Sequence, residues 1–406
     1  QRSTLSADDI RYIAKMTRAR AVPPMEGLEN HVHGQVPGVK VCVNPGEEDQ
    51  MEIQGYSLST MKMAATLFGC LLSGGLLLII FYWKPEWKIY CTHKPCALDM
   101  ADTVILQNQY KQLYVESVRI LTSDGTMYKL LKPFARFLPG GTRQNLKEVK
   151  IHYTEDGKFR DGSAIKYFVN RKLKYIWKSD RQQFVKLRGL EADYQCSFYH
   201  TSNGLPYSEQ QQRQLLYGEN NIIVHVTPII KILFLQALNP FYVFQLFSVI
   251  LWYLDEYEYY ASCIIIISVI SLSVTIYETR KMQRALKGTL TGSSTVSVCK
   301  GNGEYIEQMS DMLVPGDVIE VPRMGCVMQC DAVLLSGNCI VNESMLTGES
   351  VPVTKTPLPN HRNQTFSMKE HSRHVLFCGT HVLQTRYYGD MKVRAVVIRT
   401  GFATAK

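Results

Sequence analysis

Three rhythms of apolar residues divide this 406-residue sequence, and each predicts a different kind of element. Residues 1–50 follow none of them. They are polar, carry Pro23-Pro24 and show no sustained period, which predicts a flexible tail. Long apolar runs come next, an uncharged one at 63–83 (MAATLFGCLLSGGLLLIIFYW), and later 229–254, with Lys231 near its start, and 259–276, all of bilayer-spanning length. Between them, Val149 to Tyr153, Ile165 to Phe168 and Lys172 to Trp177 alternate with period two, predicting strands of a small β-containing domain within 51–204.

The runs at 229–254 and 259–276 are separated only by Asp255-Glu256-Tyr257-Glu258, so they predict an antiparallel hairpin of transmembrane helices, the first kinked at Asn239-Pro240. Arg280, Lys281, Arg284 and Lys287 follow the second run while the connecting loop is acidic. The positive-inside rule then places both outer ends in the cytosol. The run at 63–83 is broken by Ser73-Gly74-Gly75 and flanked by Lys62 on one side and Lys84, Lys88 and Lys94 on the other. With the tail and the 51–204 domain both cytosolic, it predicts a re-entrant or interfacial hairpin rather than a crossing. Residues 205–228 lead to the membrane through a helical SEQQQRQLLYGENN stretch, with Ser208 as its expected cap.

Within a domain expected over 280–406, the chain after Lys287 reads as all-β. Thr295 to Lys300 and Tyr305 to Met309 flank the tight-turn signature Gly301-Asn302-Gly303, and short apolar runs at Val318, Ala332, Val375 and Val393 follow at sandwich or jelly-roll spacing. Residues 358–372 look like a polar insertion. Within this region an apolar run from Ala332 to Leu335, a Ser336-Gly337-Asn338 turn and a second run from Cys339 lead to Thr347-Gly348-Glu349-Ser350 on an exposed loop. A carboxylate held by a Thr-Gly turn with a hydroxyl on each side suits a general base that orients a water.

Val314-Pro315-Gly316-Asp317-Val318, Cys330-Asp331-Ala332-Val333-Leu334 and Asn342-Glu343-Ser344-Met345-Leu346-Thr347-Gly348-Glu349-Ser350 resemble, in order and spacing, the actuator domain of P-type ATPases. The longer NESMLTGESVPVTKTPLP is similar to subgroup B of the fifth class of these pumps, polyamine transporters of late endosomes and lysosomes. The likeness covers roughly 51–406 and weakens between 111 and 158. It implies a multi-domain membrane protein with a helical transmembrane hairpin, a cytosolic β-containing N-terminal domain and an all-β actuator shaped as a distorted jelly roll. It also implies that Glu349 deprotonates the water attacking an aspartyl phosphate, that Thr347 and Gly348 shape the loop, and that Ser350 supports it. ATP and Mg2+ would be bound by regions absent from this chain, since no Asp-Lys-Thr-Gly-Thr motif occurs in it. Polyamine, and acidic phosphoinositides or phosphatidic acid at the membrane face, are the partners that the resemblance implies.

Charge changes little in this picture. A net charge of +9, spread evenly, gives no ground for nucleic acid and suits an anionic membrane surface. Eleven cysteines and ten histidines are scattered without metal-ligand spacing, which argues against an independent metal or cysteine hydrolase. Two readings stay open: the N-terminal part of a complete transporter, inactive by itself, or a membrane-anchored lipid- or partner-binding module without catalysis. The intact Thr-Gly-Glu-Ser loop favours the first, because its carboxylate has a use only opposite a phosphoaspartate.

Overall fold

The computed structural model describes residues 38–47, 49–122, 127–129, 164–191, 194–222, 226–290, 293–386 and 392–405. The expected tail up to residue 37 and the strand expected at 149–153 lie outside the described residues.

Strands β1 (Val41–Val43) and β2 (Met51–Leu58) pair antiparallel and open the first sheet. The chain then leaves in three helices, α1 (Thr60–Leu72), α2 (Leu76–Trp83) and α3 (Pro85–Thr92), and returns in β3 (His93–Pro95). β3 pairs with β2 so that Leu58 faces His93, and the Ser59 amide donates to the Thr92 carbonyl at 3.1 Å. The helical excursion therefore starts and ends at one place on one sheet. Gly74 and Gly75, at φ 59° and 91°, make the reversal between α1 and α2. Phe68, Leu71, Leu72, Leu76 and Leu78 leave the excursion apolar and uncovered. Strands β4 (Thr103–Asn108) and β5 (Leu113–Ser117) complete the sheet in the order β1-β2-β4-β5. The second sheet uses β6 (Arg119–Thr122), β7 (Met127–Lys129), β8 (Ala164–Asn170), β9 (Leu173–Lys178) and β10 (Gln183–Lys186), in the order β10-β9-β8-β6-β7. Between the sheets Phe168 stacks on Tyr175 at 4.9 Å and meets Phe184 edge-on at 5.0 Å, both contacts typical of a packed aromatic core.

A short α4 (Cys196–His200) and then α5 (Tyr207–Tyr217) follow. Pro206, not Ser208, occupies the N-cap of α5, and Ser208 makes no cap bond. A proline there suits the helix entry because its φ is already near the helical value and the missing N–H has no helical partner to lose. Helices α6 (Ile229–Ala237) and α7 (Pro240–Leu254) meet at 67°, where Pro240 interrupts the backbone ladder and the Asn239 side chain accepts the Phe241 amide. Helix α8 (Glu258–Leu290) packs antiparallel to α7, since Tyr253 bonds Ser262 at 2.9 Å and Tyr242 bonds Ser271 at 3.3 Å. It is long and apolar enough to cross a membrane, as is the bent α6–α7 pair if counted as one span. It also continues past residue 280, where the last domain was expected to open, because residues 278–287 contain no proline or glycine and are mostly good helix formers.

The remaining strands are β11 (Thr295–Cys299), β12 (Tyr305–Met309), β13 (Val318–Glu320), β14 (Cys326–Val327), β15 (Asp331–Ser336) and β16 (Asn338–Asn342). After a single helical turn, α9 (Ser344–Thr347), come β17 (Val353–Lys355), β18 (Val375–Leu376), β19 (His381–Arg386) and β20 (Arg394–Arg399). They form a six-stranded sheet, β12-β11-β13-β20-β15-β18, and a four-stranded one, β14-β19-β16-β17, with no closed barrel. In β15, Ala332 and Leu334 enter the core shared with the four-stranded sheet, while Val333 and Leu335 enter another core on the opposite face. Burial on both faces explains the unbroken apolar run. That opposite face is covered partly by residues 358–372. Leu358 is 2% exposed and Phe366 3% exposed, so the segment is an integral cover rather than a polar surface insertion. Its two apolar anchors are eight residues apart and show no period that would betray them.

β15 and β16 lie in different sheets, and Gly337, at φ 75°, carries the chain across. A Cβ there would collide with Val393 Cγ2 and lie 3.0 Å from the Arg386 carbonyl oxygen. Gly337→Ala should therefore lower stability by roughly 2–3 kcal/mol, the sum of left-handed strain and overpacking, read as a fall in the thermal unfolding midpoint.

Asp317 and Asp331 are fully buried. Asp317 Oδ2 accepts from the Val314 amide and from Gln210 Nε2, both at 3.0 Å, and Asp331 accepts from the Cys378 and Ala405 amides at 2.8 and 2.7 Å. Burial outweighs these bonds and pushes both carboxyls up to about 6. The folded form thus holds these protons more tightly than the unfolded chain. Each aspartate's stabilising contribution is complete below about pH 4 and is lost as pH rises through 6. Denaturant titrations in detergent should show stability falling over that window by roughly 3 kcal/mol per aspartate. Asp317→Asn, whose amide oxygen can keep the Oδ2 acceptor role, should flatten the slope; an unchanged slope refutes the assignment.

Candidate functional site

The loop that carries Glu349 stands at the end of the β16–β17 hairpin, in which Cys339 faces Lys355 and Val341 faces Val353. Its conformation is built locally. Asn342 Oδ1 accepts the Ser344 amide at 2.9 Å, and the Glu343 carbonyl accepts the Leu346 and Thr347 amides at 2.8 and 2.9 Å, which makes the single turn α9. Gly348 ends the turn at φ 79°, with its amide bonded to the Ser344 carbonyl at 2.9 Å. Thr347 Oγ1 then does two things: it donates to the Glu343 carbonyl at 3.1 Å and accepts the Glu349 amide at 3.2 Å.

Thr347, Gly348, Glu349 and Ser350 are all exposed on one tip. The Glu349 backbone is pinned while its carboxylate faces outward, and Thr347 acts on the main chain rather than through the open face. Met345 and Val351 flank the tip at 84% and 72% exposure, an apolar rim of the kind that docks against another surface.

Under the tip lies a feature that sequence spacing does not reveal. Lys355 Nζ is 2.7 Å from Glu343 Oε1, with the two side chains only 3% and 9% exposed. The same ammonium donates to the Ser372 carbonyl at 3.0 Å and sits 5.0 Å from the centre of the Phe377 ring. In the sequence both residues look like ordinary loop charges; only their placement at the two feet of one loop distinguishes them. A hollow of 580 Å³ beside the loop is lined by Leu346, Thr347, Pro352, Arg373 and Phe377, among others.

The other two motifs serve packing. Gly316, at φ 103°, lets Arg213 of α5 reach the Pro315 carbonyl at 2.7 Å, and Asp317 closes the same turn through the Val314 amide. Asp331 joins the turn at Cys378 to Ala405. Among the described residues no cluster of three or more His, Cys, Asp or Glu fits a metal ion, and no disulfide forms. Five cysteines are buried, and burial pushes the thiols of the buried Cys339 and the half-buried Cys326 up to about 12 and 11, which leaves them unreactive.

Comparison with known proteins gives three matches along the chain. Residues 47–178 match the P5-type ATPase cation transporters, residues 187–252 the cation transporter/ATPase N-terminus, and residues 291–406 the P-type ATPase actuator domain. Among individual relatives, "Polyamine-transporting ATPase 13A3" of Homo sapiens is 42% identical over 381 residues, 90% of this chain and 31% of that protein. "Probable cation-transporting ATPase 13A4" of Gallus gallus is 39% identical over 376 residues, 90% of this chain and 30% of that protein. "Polyamine-transporting ATPase 13A2" of Mus musculus is 37% identical over 374 residues, 88% of this chain and 31% of that protein. The chain thus spans about a third of the length of these relatives. With an actuator domain carrying the Glu349 tip and relatives aligned over some nine-tenths of its length, the chain belongs to the P5-type ATPases.

Proposed function

We propose that this chain serves as the membrane anchor and actuator of an ATP-driven transporter, with Glu349 catalysing hydrolysis of an aspartyl phosphate carried elsewhere in the complete protein. The observation that carries this reading is the geometry of the tip: an outward carboxylate on a pinned backbone, rimmed by exposed Met345 and Val351. Docked against the phosphoaspartate, Glu349 takes a proton from a water molecule whose oxygen attacks phosphorus. The bond from phosphorus to the aspartate oxygen breaks, giving inorganic phosphate and a free carboxylate. The acyl phosphate is already activated, so positioning and partial deprotonation of the water suffice. ATP and Mg2+, which P-type ATPases use, would be bound by other parts of the complete protein.

The names of the relatives support a polyamine cargo; its movement from the lumen of late endosomes or lysosomes to the cytosol rests on the resemblance of NESMLTGESVPVTKTPLP to subgroup B of the fifth class. In the membrane, α6–α7 and α8 would form two crossings joined on the lumenal side through Asp255 to Tyr257. The α1–α2 excursion would enter the cytosolic leaflet and return, which its common start and end at Leu58 and His93 support. The sheets at both ends of the chain would then face the cytosol, near acidic phosphoinositides or phosphatidic acid.

In the complete protein Glu349→Gln should leave phosphoenzyme formation intact and slow its hydrolysis on the order of 100-fold or more, measured by chasing labelled phosphoenzyme. Normal turnover refutes the role. Protease digestion of sealed vesicles should cut the N-terminal sheets from the cytosolic side and spare the connection at 255–257; cleavage of the N-terminal sheets only from the lumenal side overturns the topology.

A further inference from the structure

The buried ion pair beneath the tip has no part in the chemistry described so far. Glu343 directly follows β16 and Lys355 ends β17, so their contact closes the loop at its two feet. A continuous chain of bonds leads upward from it. The Glu343 carbonyl receives the Thr347 amide and hydroxyl, and that hydroxyl receives the Glu349 amide. A second set leads away from the loop, because Lys355 also holds the Ser372 carbonyl and lies over the Phe377 ring. The catalytic tip is in this way tied to the segment between β17 and β18.

Stability alone is a poor reason for such a pair. Removing two charges from water costs several kcal/mol per ion, and a well-packed apolar pair of similar volume is often as stable or more so. What the ion pair supplies is a fixed spacing. Its 2.7 Å contact, an ion pair rather than a hydrogen bond at Glu343 Oε1, holds the two feet together and hence sets where α9 and the Glu349 backbone stand, whereas apolar side chains would allow the loop to slide.

We propose that Lys355 and Glu343 are positioning residues for aspartyl-phosphate hydrolysis, holding the loop at the reach from which Glu349 orients the attacking water. This rests on the reading of Glu349 given above. A displacement of about 1 Å at a reacting group can cost on the order of 100-fold in rate, so loosening the feet of the loop should be visible in the chemistry.

The test uses phosphoenzyme decay in the complete protein together with amide hydrogen exchange of residues 344–350. Lys355→Met should form phosphoenzyme to the normal level, slow its decay roughly 10- to 100-fold and speed exchange in the loop. Because Lys355→Met leaves a buried carboxylate unpaired, the neutral double variant Glu343→Gln with Lys355→Met guards against misfolding. It should decay as slowly as Lys355→Met while keeping a near-normal melting temperature. Lys355→Arg, which retains the cation, should recover most of the rate. Normal decay in the double variant beside slow decay in Glu349→Gln overturns the positioning role and leaves the ion pair structural. Normal decay in Glu349→Gln overturns the reading of Glu349 and this proposal with it.

Discussion

Burial of the six-stranded sheet on both faces is the constraint from which the rest of the molecule follows. A sheet that presents apolar side chains alternately to two sides must be covered twice. Here β15 and β20 do so residue by residue: Ala332, Leu334, Ala395 and Val397 face one core, and Val333, Val396 and Ile398 face the other. The four-stranded sheet covers the first side and carries the Glu349 loop outward on its β16–β17 hairpin. The loop is free to be exposed and polar at its tip because the hairpin beneath it is anchored in a dry core.

The second cover comes from distant parts of the chain. Leu190 and residues 194–200 lie together with residues 358–377 on the back of the sheet, joined by the Cys196 amide to the Gln364 carbonyl at 2.9 Å and by the Phe366 amide to the Tyr194 carbonyl at 2.8 Å. Leu190 donates to the Ile398 carbonyl at 2.9 Å beside Gly189, and the Tyr199 hydroxyl donates to the Leu190 carbonyl. A side chain at Gly189 would strike that Ile398 carbonyl. Farther on, Gln210 and Arg213 bind the Pro315-Gly316-Asp317 turn, and Asn220 bonds both the Ser310 and Gln329 carbonyls and the Gly401 amide. The chain segment that precedes α6 is therefore structurally part of the region that follows α8. Motion of the actuator would be felt directly at the entry to the first apolar helix pair.

Polar groups inside this arrangement divide by purpose. Asp317, through the Val314 amide and the Gln210 side chain, and Asp331, through the Cys378 and Ala405 amides, hold turns; their raised affinity for protons is a consequence of burial. Glu349, chemically the same kind of group, is exposed, and its setting is defined by what grips its backbone. Two carboxylates in neighbouring motifs thus have different fates because one motif turns inward against α5 and the other turns outward from a hairpin.

Much of this was legible in the residues themselves. Period two and glycine turns marked the strand at 295–299 and its partner at 305–309, long apolar runs marked the apolar helices, and Asn239-Pro240 marked the bend between α6 and α7. These signals are local, arising from side-chain alternation, ring sterics and hydration within a few residues. The exposure of Thr347, Gly348, Glu349 and Ser350 was legible for the same reason. Partners far apart in the chain were not. Crossing of the chain between sheets at Gly337, the burial of Leu358 and Phe366, and the pairing of Glu343 with Lys355 each depend on which distant backbone lies opposite. A lysine's charge reads the same along the chain whether it ends in water or, as Lys355 does, in a dry contact beneath the Glu349 loop, and only the packed structure removes the water.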